Sequence, residues 1–223
     1  MVVEAFDRVV LEVPDVAVAA GELSVLLATD PVRADDGSTL LLLGNTSLEL
    51  RQTEGDRASI SGLVFSATAD QGEGDLPGNI ELCSGDVTSD LRGGGTPVSD
   101  LQVDHVVLQT RAAETCIALY RDQLGIRLAL DRDMPDWGGR MLFFRTGKMT
   151  LEVIANAEKG PEIPSFWGVA FQCEDLDREH QRLADAGVSL SNIREGRKPG
   201  TRVATVKSHC LGVPTLLIEP APR

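Results

Sequence analysis

Asp104-His105-Val106-Val107-Leu108 decides the fold, because nearly the same five residues stand 97 positions earlier as Asp7-Arg8-Val9-Val10-Leu11. Two further echoes follow in the same order. Leu48-Glu49-Leu50 returns as Leu151-Glu152-Val153 at an offset of 103, and Gly62-Leu63-Val64-Phe65 returns as Gly168-Val169-Ala170-Phe171 at an offset of 106. Three echoes with a slowly growing offset mark a duplicated chain with small insertions, and such a repeat organises the rest of the reading.

The second copy is the clearer one. Val103–Gln109 is a short β-type run. Ala112–Leu124 then places Ala113, Cys116, Ile117, Tyr120 and Leu124 on one helical face, with Gly125 as its stop. Strand-sized runs follow at Ile126–Leu130, Arg140–Arg145 and Thr150–Ile154, parted by Gly138-Gly139 and Gly147-Lys148. The β-α-β-β-β order then recurs. Gly168–Cys173 is a strand, and Asp175 caps a helix that buries Leu176, Leu183 and Ala184 and ends at Gly187. Val188–Ile193, Thr201–Lys207 and Pro214–Glu219 complete the unit.

The expected fold is therefore α+β. Units at 101–155 and 165–223 make a C-terminal domain spanning 101–223. Residues 1–83 form a worn N-terminal copy, with strand Phe6–Val13, helix Asp15–Leu27, strands Thr39–Leu43 and Ser47–Leu50, and a unit starting at Ile60–Thr68. That last unit has no recognisable helix, since 70–78 is glycine-rich and acidic. Residues 84–100, with Gly93-Gly94-Gly95, read as a flexible linker.

At 223 residues the chain has room for one or two domains, and 42% hydrophobic with 25% charged residues excludes a disordered chain. No apolar run approaches the roughly 18 residues of a membrane helix, so no membrane partner is expected. The start lacks a basic-then-apolar signal pattern, which points to the cytoplasm. Cys83, Cys116, Cys173 and Cys210 are far apart and read as free thiols rather than a zinc or redox motif. A net charge of −13 argues against a nucleic-acid partner. The acidity is lopsided. Residues 1–99 hold 17 acids and 5 bases without a lysine, whereas 100–223 hold 17 acids and 16 bases. An anionic small molecule is better received by the second half. Arg194–Lys207 carries five bases and one acid, and Arg197, Lys198, Arg202 and Lys207 suit a clamp for a carboxylate, phosphate or coenzyme A group. Pro199-Gly200 supplies its turn.

Repeated β-α-β-β-β units, one opened by Asp104-His105-Val106-Val107-Leu108 and another with Glu174-Asp175-Leu176-Asp177 starting its helix, resemble the vicinal oxygen chelate superfamily. This is the group of glyoxalase I, methylmalonyl-CoA epimerase, extradiol dioxygenases and the bleomycin and fosfomycin resistance proteins. The resemblance implies units that pair into curved, cup-shaped open barrels around a divalent metal (Zn, Mn, Fe or Ni), which the substrate chelates. Of the four ligand positions it implies, His105 and Glu152 fill two, while Gly168 and Leu216 stand at the others. In the first copy Arg8 replaces the histidine and Glu49 keeps the carboxylate, which suggests an ion pair in place of a metal.

Strand alternation between Leu151 and Val153 puts Glu152 inside the cup, where a carboxylate needs a metal, a base or a ligand as partner. Glu152 is thus also the candidate catalytic base. Trp167, beside the small Gly168, and Phe144 are candidate walls for an apolar or aromatic substrate, and Trp137 a candidate cover. The resulting expectation is a small-molecule enzyme of lyase, isomerase or dioxygenase type, acting on an oxygen-rich or anionic substrate. The alternative is a metal-free binding or resistance protein of the same fold. The shortened second unit suggests an exposed sheet edge that a homodimer would cover.

Overall fold

The computed structural model describes residues 3–34, 36–67, 74–76, 80–84, 91, 98–136, 138–147 and 149–222. Most of the linker expected at 84–100, and Trp137, lie outside the described residues.

Two mixed sheets carry the chain. The first has β1 (Val3–Val13), β2 (Val32–Arg33), β3 (Thr39–Leu42), β4 (Ser47–Gln52), β5 (Ser59–Ala67), β6 (Gly74–Leu76) and β7 (Ile80–Ser84), in the order β2-β3-β4-β1-β5-β7-β6. The second has β8 (Gln102–Thr110), β9 (Arg127–Met134), β10 (Gly139–Thr146), β11 (Met149–Ala155), β12 (Ser165–Gln172), β13 (Arg194–Glu195), β14 (Arg202–Val206) and β15 (Thr215–Glu219), in the order β13-β14-β15-β12-β8-β11-β10-β9. The architecture is the expected α+β arrangement, two open cups built from repeated units.

The repeat is visible in the ladders. β4 returns parallel beside β1 as β11 does beside β8, and β7 lies parallel to β5 as β15 does to β12. The leading strands of paired units meet antiparallel, β1 with β5 and β8 with β12.

Helical segments cover the outer faces. In α1 (Val16–Leu27), Asp15 accepts from the backbone N of Ala17 and Val18 at 2.8 and 3.0 Å. α2 (Ala113–Cys116) runs on into a π-helical stretch, Ile117–Gln123, which buries Ile117, Leu119 and Tyr120. In α3 (Leu176–Asp185), Asp175 accepts from Arg178 N at 2.9 Å, the cap read from the sequence.

The outward faces of both sheets and the helices share one apolar core, from Val9, Leu11 and Leu48 to Val169, Phe171 and Leu217. Backbone groups join the halves at several points. Asn45 Nδ2 donates to Val103 O, and its Oδ1 accepts from Val103 N, each at 2.8 Å. Arg182 donates to Val25 O and Leu26 O at 3.0 and 2.7 Å, which satisfies carbonyls left open at the end of α1.

The run Val188–Ile193 is not the strand its sequence suggests. It makes a single bridge, Leu190 to Val206, and the edge ladder is supplied by β13. It keeps two backbone bonds, Ser191 N to Thr205 O and Lys207 N to Ser189 O, and serine hydroxyls take other backbone groups. Ser191 Oγ accepts from Thr205 N and Ser208 Oγ from Ser189 N, both at 2.8 Å, a local competition typical of such residues. Sequence reading also left β7 unassigned, although it lies parallel beside β5 in the first sheet.

We expect Asn45→Ala to lower stability by about 1–3 kcal/mol, since it strands two backbone groups of Val103. Thermal melting checks this, with a downward shift of several degrees and one transition retained.

Candidate functional site

Residues paired across a ladder share a face. One row on the inner face of the second sheet therefore runs Arg145, Thr150, His105, Ala170, Leu216. The next row runs Phe143, Glu152, Val107, Gly168. Their neighbours Val106, Leu108, Leu142, Leu151 and Val153 face the core. Phe144 belongs to that core as well. It is fully buried against Tyr120, with ring centroids 5.2 Å apart, so it is no wall of the cup. Phe143, one residue earlier, takes that place.

His105 and Glu152 come together as the repeat demands, because parallel β8 and β11 set their inner residues side by side. His105 Nε2 lies 3.8 Å from Glu152 Oε2, and the two side chains are 18% and 17% exposed. His105 Nδ1 is 2.8 Å from Asp104 Oδ2. An Nδ1–H donated to Asp104 leaves Nε2 turned toward Glu152. Sequence reading missed Asp104, since it is the extra residue of a bulge in β8 and alternation does not assign its face. The signal was the Asp7-Arg8 echo, where the same neighbour braces the inward residue.

Burial pushes the Glu152 carboxyl above the usual carboxylate range, the charges of His105 and Arg197 draw it back, and Asp104 adds to the rise. Arg197 is thus within electrostatic reach of Glu152. Its loop is the expected turn. Lys198 O accepts from Thr201 N at 3.1 Å, and Gly200 has a φ of 79° after Pro199. Lys198 and Lys207 are exposed.

Arg202 does not join them. Its Nη2 holds both Asp177 oxygens at 2.8 and 2.7 Å, and its Nη1 lies 3.4 Å from both oxygens of Glu219. β14 alternates, so Arg202 faces α3 while Val203 faces the cup. Trp167 is the extra residue of a bulge in β12 and is 51% exposed. The space beside Gly168 is already filled, because a Cβ there would lie 2.5 Å from Pro214 O.

The first sheet holds the same addresses with other occupants. Arg8 Nε donates to Glu49 Oε2 and its Nη1 to Asp7 Oδ2, each at 2.7 Å. Arg51 donates to Glu49 Oε1 at 2.6 Å and to both Glu81 oxygens at 2.5 and 2.8 Å. The expected Arg8–Glu49 pair is present, extended into a buried ladder of alternating charge.

Residues 102–210 match the model of the Glyoxalase/Bleomycin resistance protein/Dioxygenase superfamily. The whole chain shares its fold with a substituted form of 4-hydroxymandelate synthase from Streptomyces coelicolor, at 16% identity and a TM-score of 0.74 over 99% of this chain and 94% of that one. Methylmalonyl-CoA epimerase from Mycobacterium tuberculosis is 25% identical over 54% of this chain and 88% of its own, with a TM-score of 0.43. A hypothetical protein from Bacillus halodurans is 18% identical over 56% and 98%, with a TM-score of 0.45. No curated protein sequence matches significantly.

Members of the superfamily commonly bind a divalent metal, and a catalytic centre takes about three protein ligands. Among the described residues no three His, Cys, Asp or Glu side chains gather for one. At the remaining two addresses Gly168 has its side-chain space closed by Pro214, and Leu216 is apolar. His105 and Glu152 alone do not complete the superfamily's centre.

A carboxyl whose folded pKa is raised contributes stability that is present at low pH and lost as the pH rises through that pKa. We expect Glu152→Gln to melt above the wild type near about pH 8, with the gap closing toward about pH 4. In the first cup we expect Arg8→Met to cost about 3–5 kcal/mol by leaving Glu49 buried beside Asp7, and Arg8→Met/Glu49→Leu to recover much of it, as read by urea denaturation.

Proposed function

We propose that the second cup is the active site of a metal-independent small-molecule enzyme of lyase or isomerase type, with Glu152 as its acid–base group and His105 as partner. The observation that carries this reading is the Glu152 carboxyl itself. It is largely buried on an otherwise apolar row, accepts no hydrogen bond from a described residue, and lies 3.8 Å from an imidazole nitrogen. A buried carboxylate in such a place costs stability, and proton transfer at carbon gives that cost a function.

Glu152 takes a proton from a carbon next to a carbonyl. The electron pair moves onto the carbonyl oxygen as an enolate, whose charge faces the positive field of Arg197. Return of the proton at the same or a neighbouring carbon gives epimerisation or isomerisation, and expulsion of a β-substituent gives a lyase. Asp104 fixes the imidazole ring. Lys198, in the turn between β13 and β14, and Trp167, in the β12 bulge, are further substrate contacts, whereas Lys207 follows the far end of β14. Ring-cleaving dioxygenase chemistry draws on iron held by two histidines and a carboxylate, a set these residues do not provide. The free cysteines suit a reducing cytoplasm as its location.

Gly168 and Leu216 favour a second reading, a metal-free protein that sequesters its ligand. One experiment separates the readings. Solvent-deuterium exchange is followed by NMR across a panel of 2-substituted acids and ketones, with metal content measured in parallel by mass spectrometry. We expect exchange by the wild type that chelator leaves intact, and loss of about 100-fold or more in Glu152→Gln. Tight binding without exchange selects sequestration. Stoichiometric metal lost together with exchange in His105→Ala overturns the metal-independent mechanism.

A further inference from the structure

The arginines of the second half divide by face. Those elsewhere are matched with carboxylates: Arg111 with Glu162, Arg121 with Asp122, Arg140 with Asp131 and Glu114, Arg178 with Asp100, Arg182 with Glu179, and Arg202 with Asp177. Five others, Arg127, Arg132, Arg145, Arg194 and Arg197, have no carboxylate partner among the described residues. The ladders place the first four on the inner side, and Arg197 stands in the turn after β13. Arg127 pairs with Arg145, Arg132 with the inward Met141, and Arg194 with the inward Val203, while Arg197 acts on Glu152.

Arg127 and Arg145 stand directly opposite each other on neighbouring strands. Like charges so placed repel, with Cβ atoms about 5 Å apart. A chain with 34 acids to 21 bases has ample carboxylate to neutralise them, and does so elsewhere. Two adjacent guanidiniums instead offer paired forks for one oxyanion. From that pair the inner row leads through Thr150 to His105, about 10 Å from Arg145 at the ordinary strand spacing. Phe143 lines the next row, beside Glu152.

We infer that the cup takes a substrate with an oxyanion tail, a phosphate ester or a carboxylate, held between Arg127 and Arg145, with its apolar body over Phe143 toward Glu152. This rests on the cup being the active site and adds the class of molecule it accepts. The tail sits on strands of the first unit, away from the basic loop singled out in the sequence, and Arg197 is left for the reacting end.

Binding of phenyl phosphate, phenylacetate and neutral benzyl alcohol is measured by calorimetry at about 20 and 300 mM salt. We expect phenyl phosphate or phenylacetate to bind at low salt, whichever binds tighter naming the tail, and benzyl alcohol to bind at least tenfold more weakly. Arg127→Gln and Arg145→Gln each weaken the anion about tenfold or more. Arg111→Gln, at an arginine matched with Glu162, leaves it unchanged. Arg127→Gln also raises the melting temperature of the unliganded protein, because the repulsion is relieved. Equal binding of benzyl alcohol, or equal weakening by Arg111→Gln, overturns the inference. Glu152→Gln separates it from the acid–base reading. If that variant keeps proton exchange, the reading of Glu152 falls while the anion site stands. If exchange depends on Glu152 but the anion ignores Arg127 and Arg145, the anion site falls alone.

Discussion

In the first unit of each half, the last strand returns parallel beside the first, and the inward carboxylate of one meets the inward residue of the other. A carboxylate removed from water must find a counter-charge or give up its proton more reluctantly. The two halves answer this differently at the same address. Glu49 is held by Arg8 and Arg51 in a ladder that ends on Glu81, so its oxygens are taken. Glu152 faces only an imidazole at 3.8 Å and a more distant guanidinium. The first cup engages its carboxylate in a ladder of ion pairs, and the second leaves Glu152 without a bonded base among the described residues. The asymmetry follows from the exchange of His105 for Arg8 and from the arginine at 51, where no equivalent base stands beside Glu152.

That much was legible in the sequence because the repeat supplies its own alignment. Asp7-Arg8 against Asp104-His105 and Leu48-Glu49 against Leu151-Glu152 place the pairs before any coordinate is known, and alternation assigns Glu152 to the cup. The same rule, followed less strictly, misled at Phe144, which is even-numbered on a strand whose odd residues face inward. Arg202 reads as part of a basic loop, yet it begins a strand, and its parity turns it toward Asp177 and Glu219. Asp104 was hidden for the opposite reason. It is the extra residue of a bulge in β8, between Val103 paired with Phe171 and His105 paired with Ala170, so alternation does not assign its face, and its carboxylate reaches the ring of His105. The unpaired arginines were invisible because pairing is a property of faces. Arg127 and Arg145 are separated by 18 positions and become neighbours only once the β9–β10 ladder is known.

Net charge is similarly uninformative until it is resolved by face. The second half is nearly neutral overall, yet its outer side is a lattice of matched ion pairs, each worth little in water. Its inner side carries bases almost alone. Bases gathered on one concave face, all of them exposed to solvent, give that face a positive potential against the background of an acidic chain.

The glycine at 168 bears on why the metal addresses were not simply left vacant. A glycine is often read as room for a ligand or a neighbouring ring. Here the backbone of Pro214 occupies that room, with its carbonyl accepting from Val169 N at 3.0 Å. A histidine at 168 would have to displace the start of β15, and Leu216 on that strand faces inward beside Ala170. The two donors are therefore missing for different reasons, the first because β15 is seated close on β12 and the second because β15 carries an apolar residue at 216. Gly62 stands at the matching position of the first sheet, paired with Val10 as Gly168 is with Val107. Both copies therefore share the glycine, and they differ in what the neighbouring last strand presents: Glu81 in one and Leu216 in the other. The half that retained the carboxylate neutralised it with arginine, and the half that lost it kept its histidine free.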